Sequence, residues 1–160
     1  MAKLRGIYRE NNINYEMIKT LVKEKLEPGQ IKVFPTIREL MCFAATLGYA
    51  IDKREKLPSS GKEDINVAQW QANASDEFIY LIGLSDRKNT SVLEDENNDP
   101  KDDINLIFEE YAHAGLNKIK QWMNEYPQDP DGYEAIIKGL IKDKFLQIDV
   151  QKDKEEEPTF

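Results

Sequence analysis

Among the 160 residues there is one histidine, His113, and one cysteine, Cys42, so the side chains that most often build active sites are scarce. An imidazole changes charge near neutral pH and can act as a general base once a covering element excludes water. On a helix turning about 100° per residue, His113 falls on the polar face with Glu109, Glu110, Asn117, Lys120 and Gln121, where a lone histidine is normally a surface residue. Cys42 lies between Met41 and Phe43 in an apolar run. A thiol there packs as a small hydrophobe, and no sequence neighbour is suited to stabilising its thiolate. Glu109 and Glu110 are adjacent, so on a helix their carboxylates diverge and do not form a catalytic pair.

Metal and phosphate chemistry fare no better. One histidine and one cysteine cannot assemble a His/Cys zinc site. The run Asp95-Glu96-Asn97-Asn98-Asp99 offers the alternating oxygens of a calcium loop, but Pro100 stands where glycine is needed and Leu106 where a bidentate glutamate belongs. The eight glycines are scattered, without a phosphate-binding loop. Trp122 sits on an apolar stripe and Trp70 lacks basic neighbours, so neither suggests a stacking platform for single strands. The expectation is no catalytic residue, no metal and no cofactor.

The elements that would position any site read more clearly. Asp102 to Met123 has a helical stripe of Ile104, Phe108, Tyr111, Gly115, Ile119 and Trp122, with Asp102 or Asp103 as its N-cap. Gly115 on that stripe costs about 1 kcal/mol relative to alanine, which close approach of another backbone would explain. The predicted neighbour is the apolar helix that starts at Thr36, where Thr36 and Glu39 form a capping box and Gly48 is placed to end the helix. A further helix is expected from Asn14 as cap through Met17, Ile18, Leu21 and Val22 to Lys25 and Leu26, stopped by Pro28-Gly29. A compact one follows Ser75, through Phe78, Ile79, Leu81, Ile82 and Leu84. A last one is capped by Asp131 with Glu134 at its third position. Ile65 to Trp70 alternates as a short strand, paired near Leu57. These readings give a mainly α fold: a single compact bundle of about five helices with at most a small two-stranded β element. It spans residues 1–146, and residues 147–160 form an acidic tail too charged to bury.

Net charge is −8, but it is unevenly spread. Met1 to Lys62 holds 12 Lys and Arg against 7 Asp and Glu, whereas Glu63 to Phe160 holds 10 against 23. The tilt is consistent with ordinary surface charging for solubility, or with a basic contact surface beside an acidic body. The opening decapeptide, residues 1–12 at its widest, reads as a flexible basic arm, an edge strand or a frayed terminus. The basic reading selects Lys3, Arg5, Arg9, Lys53, Arg54 and Lys56 as candidate DNA contacts. The acidic reading selects Glu94, Asp95, Glu96, Asp99, Asp102 and Asp103 as a DNA-mimicking surface for a partner. No run of about 18 apolar residues is present, so no membrane span is expected. A single cysteine and an N-terminus without an apolar signal core suggest the cytoplasm.

The segments FPTIRELMCFAATLGYA, IYLIGLSDRKNTSVLEDENND and IFEEYAHAGLNKIKQWM resemble the DNA phosphorothioation-associated protein 4 family, small accessory proteins of Dnd systems. The likeness runs from about Phe34 to Phe145 and is most specific at Phe108 to Leu116. It implies a role in DNA modification and in restriction or antiviral defence, and it brings no catalytic motif. Its blocks are apolar and structural, with Thr36, Glu39, Phe108, Tyr111, Gly115 and Trp122 as framework positions. Read with the missing active site, it points to a non-enzymatic adaptor that holds larger subunits of a modification or restriction complex. Weak or indirect DNA contact is the second reading, and oligomeric state is left open.

Overall fold

The computed structural model describes residues 2–147, so the acidic tail lies, apart from Gln147, outside the described residues. In chain order the elements are β1 (Ile7–Glu10), α1 (Tyr15–Leu21), α2 (Ile37–Ala50), β2 (Lys62–Ile65), α3 (Val67–Ala72), α4 (Asp76–Arg87), α5 (Ile104–Glu125) and α6 (Tyr133–Lys142). The fold is mainly α with one two-stranded antiparallel sheet, as predicted. Helix α5 is the axis on which α2, α4, α6 and β1 all pack.

Two long helices are capped by the residues expected of them, although Glu39 bonds the Thr36 hydroxyl where a full capping box has it on the backbone N–H. Thr36 accepts from the backbone N–H of Glu39 at 3.3 Å and gives its own hydroxyl hydrogen to the Glu39 carboxylate at 3.1 Å. Asp103 accepts from the N–H groups of Asn105 and Leu106, at 3.0 and 3.4 Å. Between these helices the predicted close approach is present. A Cβ on Gly115 would collide with the backbone carbonyl of Ala44, and one on Gly48 would collide with the carbonyl of Tyr111. Each helix thus offers a glycine to the other's backbone, one turn apart and in opposite order, which requires an antiparallel crossing. Gly48 does not end α2, which continues to Ala50. Trp122 is buried with Gly139 of α6 against its indole, and its Nε1 donates to Asp143 at 3.0 Å. Phe108 meets Trp70 edge to face with centroids 5.4 Å apart.

Other boundaries differ from expectation. Helix α1 stops at Leu21, whose carbonyl accepts from Phe34 N–H at 3.1 Å; the extended connector thereby claims it well before Pro28. Asn14 makes no side-chain cap. Glu10 instead orders the turn that leads into the helix, accepting from the N–H groups of Asn12, Ile13 and Asn14 at 2.5, 2.8 and 2.9 Å. The predicted strand at Ile65–Trp70 is displaced: β2 ends at Ile65, and Asn66 caps α3 by accepting from Gln69 N–H at 3.0 Å. Its partner is β1, not the chain near Leu57, with Ile7 opposite Ile65 and Arg9 opposite Glu63. Ser75 makes no cap on α4; its hydroxyl accepts from Arg38 Nε at 3.1 Å instead. At α6, Gly132 holds the N-cap position with φ of 80°, and Asp129, rather than Asp131, accepts from Ala135 N–H at 2.9 Å.

Candidate functional site

The basic arm is a docked strap. Arg5 forms a two-pronged pair with Glu109, at 2.5 and 3.1 Å, and Tyr8 N–H donates to the same carboxylate at 2.7 Å. Asn105 extends the seam, accepting from Arg5 N–H at 3.2 Å and donating to the Lys3 carbonyl at 3.2 Å. Glu109 is only 3% exposed, which corrects its placement on a solvated face. The helical wheel had no knowledge that residues 3–10 cover it. The pair holds the Arg5 guanidinium above its ordinary pKa, through the hydrogen bond to Glu109. Arg9 is buried and bonds Glu63 at 2.9 Å and Asn11 at 2.6 Å.

Arg54 is likewise committed, bridging Asp86 and Glu110 at 3.1 Å each and lying over the Tyr111 ring. Of the six proposed DNA contacts, Arg5, Arg9 and Arg54 are therefore tied up within the fold. Lys3, Lys53 and Lys56 are exposed, and among the described residues no carboxylate lies within ion-pair distance of them.

The acidic candidates lie mostly together. Glu94, Asp95, Asp99, Asp102 and Asp103 line one hollow of about 430 Å³, together with Lys3 and Arg5. Glu96 is exposed and does not line it. Much of this charge serves local structure: Asp102 accepts from Arg87 at 2.7 Å and Asn97 at 2.8 Å, Asp99 caps the turn at Lys101, and Asp103 caps α5. Hydrogen bonds from Asn97 and Arg87 hold the Asp102 carboxyl below its usual range.

His113 is half-buried rather than solvated. Along its face of α5, Lys120 donates to the Ile13 carbonyl at 3.0 Å and Asn117 to Glu55 at 2.5 Å, so residues 10–14 and 55 cover it. Its Nδ1 is enclosed without a partner, as are both polar atoms of the Asn14 amide. Burial lowers the His113 pKa, against the opposing fields of Glu55 and Glu10. Glu10 itself is held below the carboxylate range: burial alone would raise it, but three backbone N–H donors outweigh that. With Glu10 saturated and Glu55 holding Asn117, neither carboxylate orients the imidazole as a catalytic base requires.

A pH dependence follows. The unfolded chain takes up the histidine proton near pH 6.5, before the folded state does. Stability is therefore complete above pH 6.5 and falls as pH drops below it. Urea midpoints measured from pH 7.5 to 5.5 should decline, and His113→Gln should flatten that decline. An equal slope in both proteins would refute the assignment.

Cys42 is buried and its thiol is pushed up to about 12 by burial, so it is not a nucleophile at neutral pH. Among the described residues no three His, Cys, Asp or Glu side chains converge to hold a metal ion. None of their helices is long and apolar enough to cross a membrane.

An uncovered apolar face lies on the outer side of α4. Phe78 is 42% and Leu81 57% exposed, and they share one face with Ser85, whose carbonyl accepts from the hydroxyl of Tyr49 at 3.5 Å. The apolar residues of α4 are Phe78, Ile79, Leu81, Ile82 and Leu84, as read from DEFIYLIGLS, but only Ile79, Ile82 and Gly83 are buried. Nothing in the local pattern said which apolar side would be left uncovered.

Comparison with known proteins places the chain. No curated protein and no solved structure matches it. The sequence model of the family described as DNA sulphur modification system-associated protein 4 matches residues 10–158, nearly the whole length. That span includes the α2–α5 glycine crossing and Glu109, but not the strap residues Lys3, Arg5 and Tyr8, and the chain belongs to this family of proteins associated with a DNA sulphur modification system.

Proposed function

We propose that the chain is a non-enzymatic accessory subunit of a bacterial DNA phosphorothioation-linked restriction or defence system, which acts by binding a larger protein subunit. The observation that carries this reading is the exposed strip of Phe78, Leu81 and Tyr49 on α4 and α2. Large apolar side chains grouped on one exposed face are characteristic of protein contacts, where aromatic anchors supply much of the affinity. Family membership supplies the system. The arrangement around His113 argues against catalysis, because no group orients the imidazole.

The test is affinity purification of the tagged full chain from a host that carries the modification genes, beside Leu81→Glu and Phe78→Glu. The wild type should retain a component of the sulphur modification or restriction machinery, and both variants should lose it with unchanged melting temperatures. Failure to recover any such component, or equal recovery by the variants, would overturn the reading. The acidic hollow offers a second surface for a DNA mimic. Competition between this protein and DNA for the captured subunit would select that surface over the apolar strip.

A further inference from the structure

Residues of α1, the connector after it, the start of α2 and β2 enclose two adjoining hollows. Their volumes are about 620 and 450 Å³, and they share Arg9, Val22, Lys23, Glu24 and Ile37 as a common wall. Lys19 and Lys25 line the first, Lys32 and Arg38 the second. Lys19, Lys25 and Lys32 are exposed, and none has a carboxylate within ion-pair distance among the described residues. Among the described residues Arg38 uses only its Nε, on Ser75.

The remaining cations of the groove, Arg9 and Lys23, are neutralised by Glu63 and Asp131. Glu24 and Asp64 also face the groove, so four unpaired cations stand against two carboxylates. On a chain of net charge −8 this is a local reversal of sign. The floor is apolar, with Ile18, Val22 and Ile37, and Tyr15 lies at the edge with 46% of its surface exposed.

We propose that this groove binds single-stranded DNA, with phosphates on Lys19, Lys25 and Lys32 and a base stacked on Tyr15. A cationic rim tracks a phosphate backbone, and an exposed aromatic beside it offers a face to which any unpaired base can stack. A duplex has no free base for Tyr15. An acidic peptide would satisfy the lysines but leave the tyrosine unused. DNA is the polyanion on which the family's associated system acts. The groove shares no residue with the apolar strip, so it is independent of the adaptor reading.

The test is fluorescence anisotropy of a labelled oligothymidylate with the full chain across a salt series. Binding at low salt should weaken with a slope of log affinity on log salt near −2, from about −0.7 per phosphate over three lysines. Lys19→Glu combined with Lys25→Glu and Lys32→Glu should abolish it. Tyr15→Ala should weaken it roughly tenfold, in the range stacking supports. Lys53→Glu with Lys56→Glu, at the surface first favoured from sequence, should leave it unchanged. No binding at low salt, tighter binding of a duplex of equal length, equal displacement by polyglutamate, or equal loss in the Lys53/Lys56 variant would each overturn the proposal.

Discussion

Replacing Gly115 with alanine is expected to destabilise the protein by about 3 kcal/mol, the upper part of the range for overpacking. On an exposed helix the same change would stabilise by about 1 kcal/mol, because alanine is the better helix former. The sign is therefore diagnostic. The new methyl would meet the carbonyl of Ala44, a backbone atom inside a helix that cannot rotate aside as a side-chain tip would. Relief requires α2 and α5 to separate, and that loosens Ala44, Ala45, Leu116 and Ile119, all buried. For a domain of this size the loss corresponds to a melting temperature lower by roughly 6–12 °C. Gly115→Leu should fare worse, and Gly48→Ala should match Gly115→Ala, because Gly48 meets the carbonyl of Tyr111 in the same way. A melting temperature that rises in Gly115→Ala would show that the helices do not touch there.

The second large effect is expected at the strap. Arg5→Ala removes the guanidinium from a carboxylate that stays buried, leaving Glu109 with only the N–H of Tyr8. Breaking a buried pair by removing one partner costs about 3–5 kcal/mol. The Arg5 side chain is 40% exposed, so water can reach the abandoned charge, and the expected cost falls to about 2 kcal/mol. Glu109→Gln should also destabilise. The double variant should be less damaged than the two single losses added together, by at least about 1 kcal/mol, because the two groups act as a unit. Chemical denaturation of the four proteins measures this directly. Strict additivity would show that the seam holds by packing and not by the ion pair.

These two sites also show what can be read from residues alone. The Gly115 crossing was legible because a glycine on an apolar helical stripe is a local anomaly, and one nearby helix was apolar enough to receive it. The Asp103 and Thr36 caps were legible for the same reason, since each rests on residues within four positions. The Glu109 seam was not. A carboxylate among Glu110, His113 and Asn117 looks solvated until a strand about 100 residues earlier in the chain is laid over it, and no local pattern announces that strand. The same strand explains the misplaced β2: alternation through Ile65 to Trp70 was present, but the register is set by Ile7 and Arg9 across the sheet. The groove lysines were invisible because Lys19, Lys25, Lys32 and Arg38 belong to three different segments and acquire a common surface only when the connector folds back on α1.

The seam has a consequence for how the protein is made. Lys3, Arg5 and Tyr8 are synthesised early relative to their partners: the Asn105 and Glu109 side chains that hold them are added about a hundred residues later. At about 5–20 residues per second the strap waits on the order of 5–20 s before its counterpart exists. The partner glycines of α2 and α5, Gly48 and Gly115, are separated by roughly two thirds of that delay. Closing contacts over such a span makes folding slow relative to a chain of neighbouring helices. Until α5 emerges, the face of α2 that it covers stays open, so this small protein's exposure to aggregation is concentrated in the middle of its own synthesis.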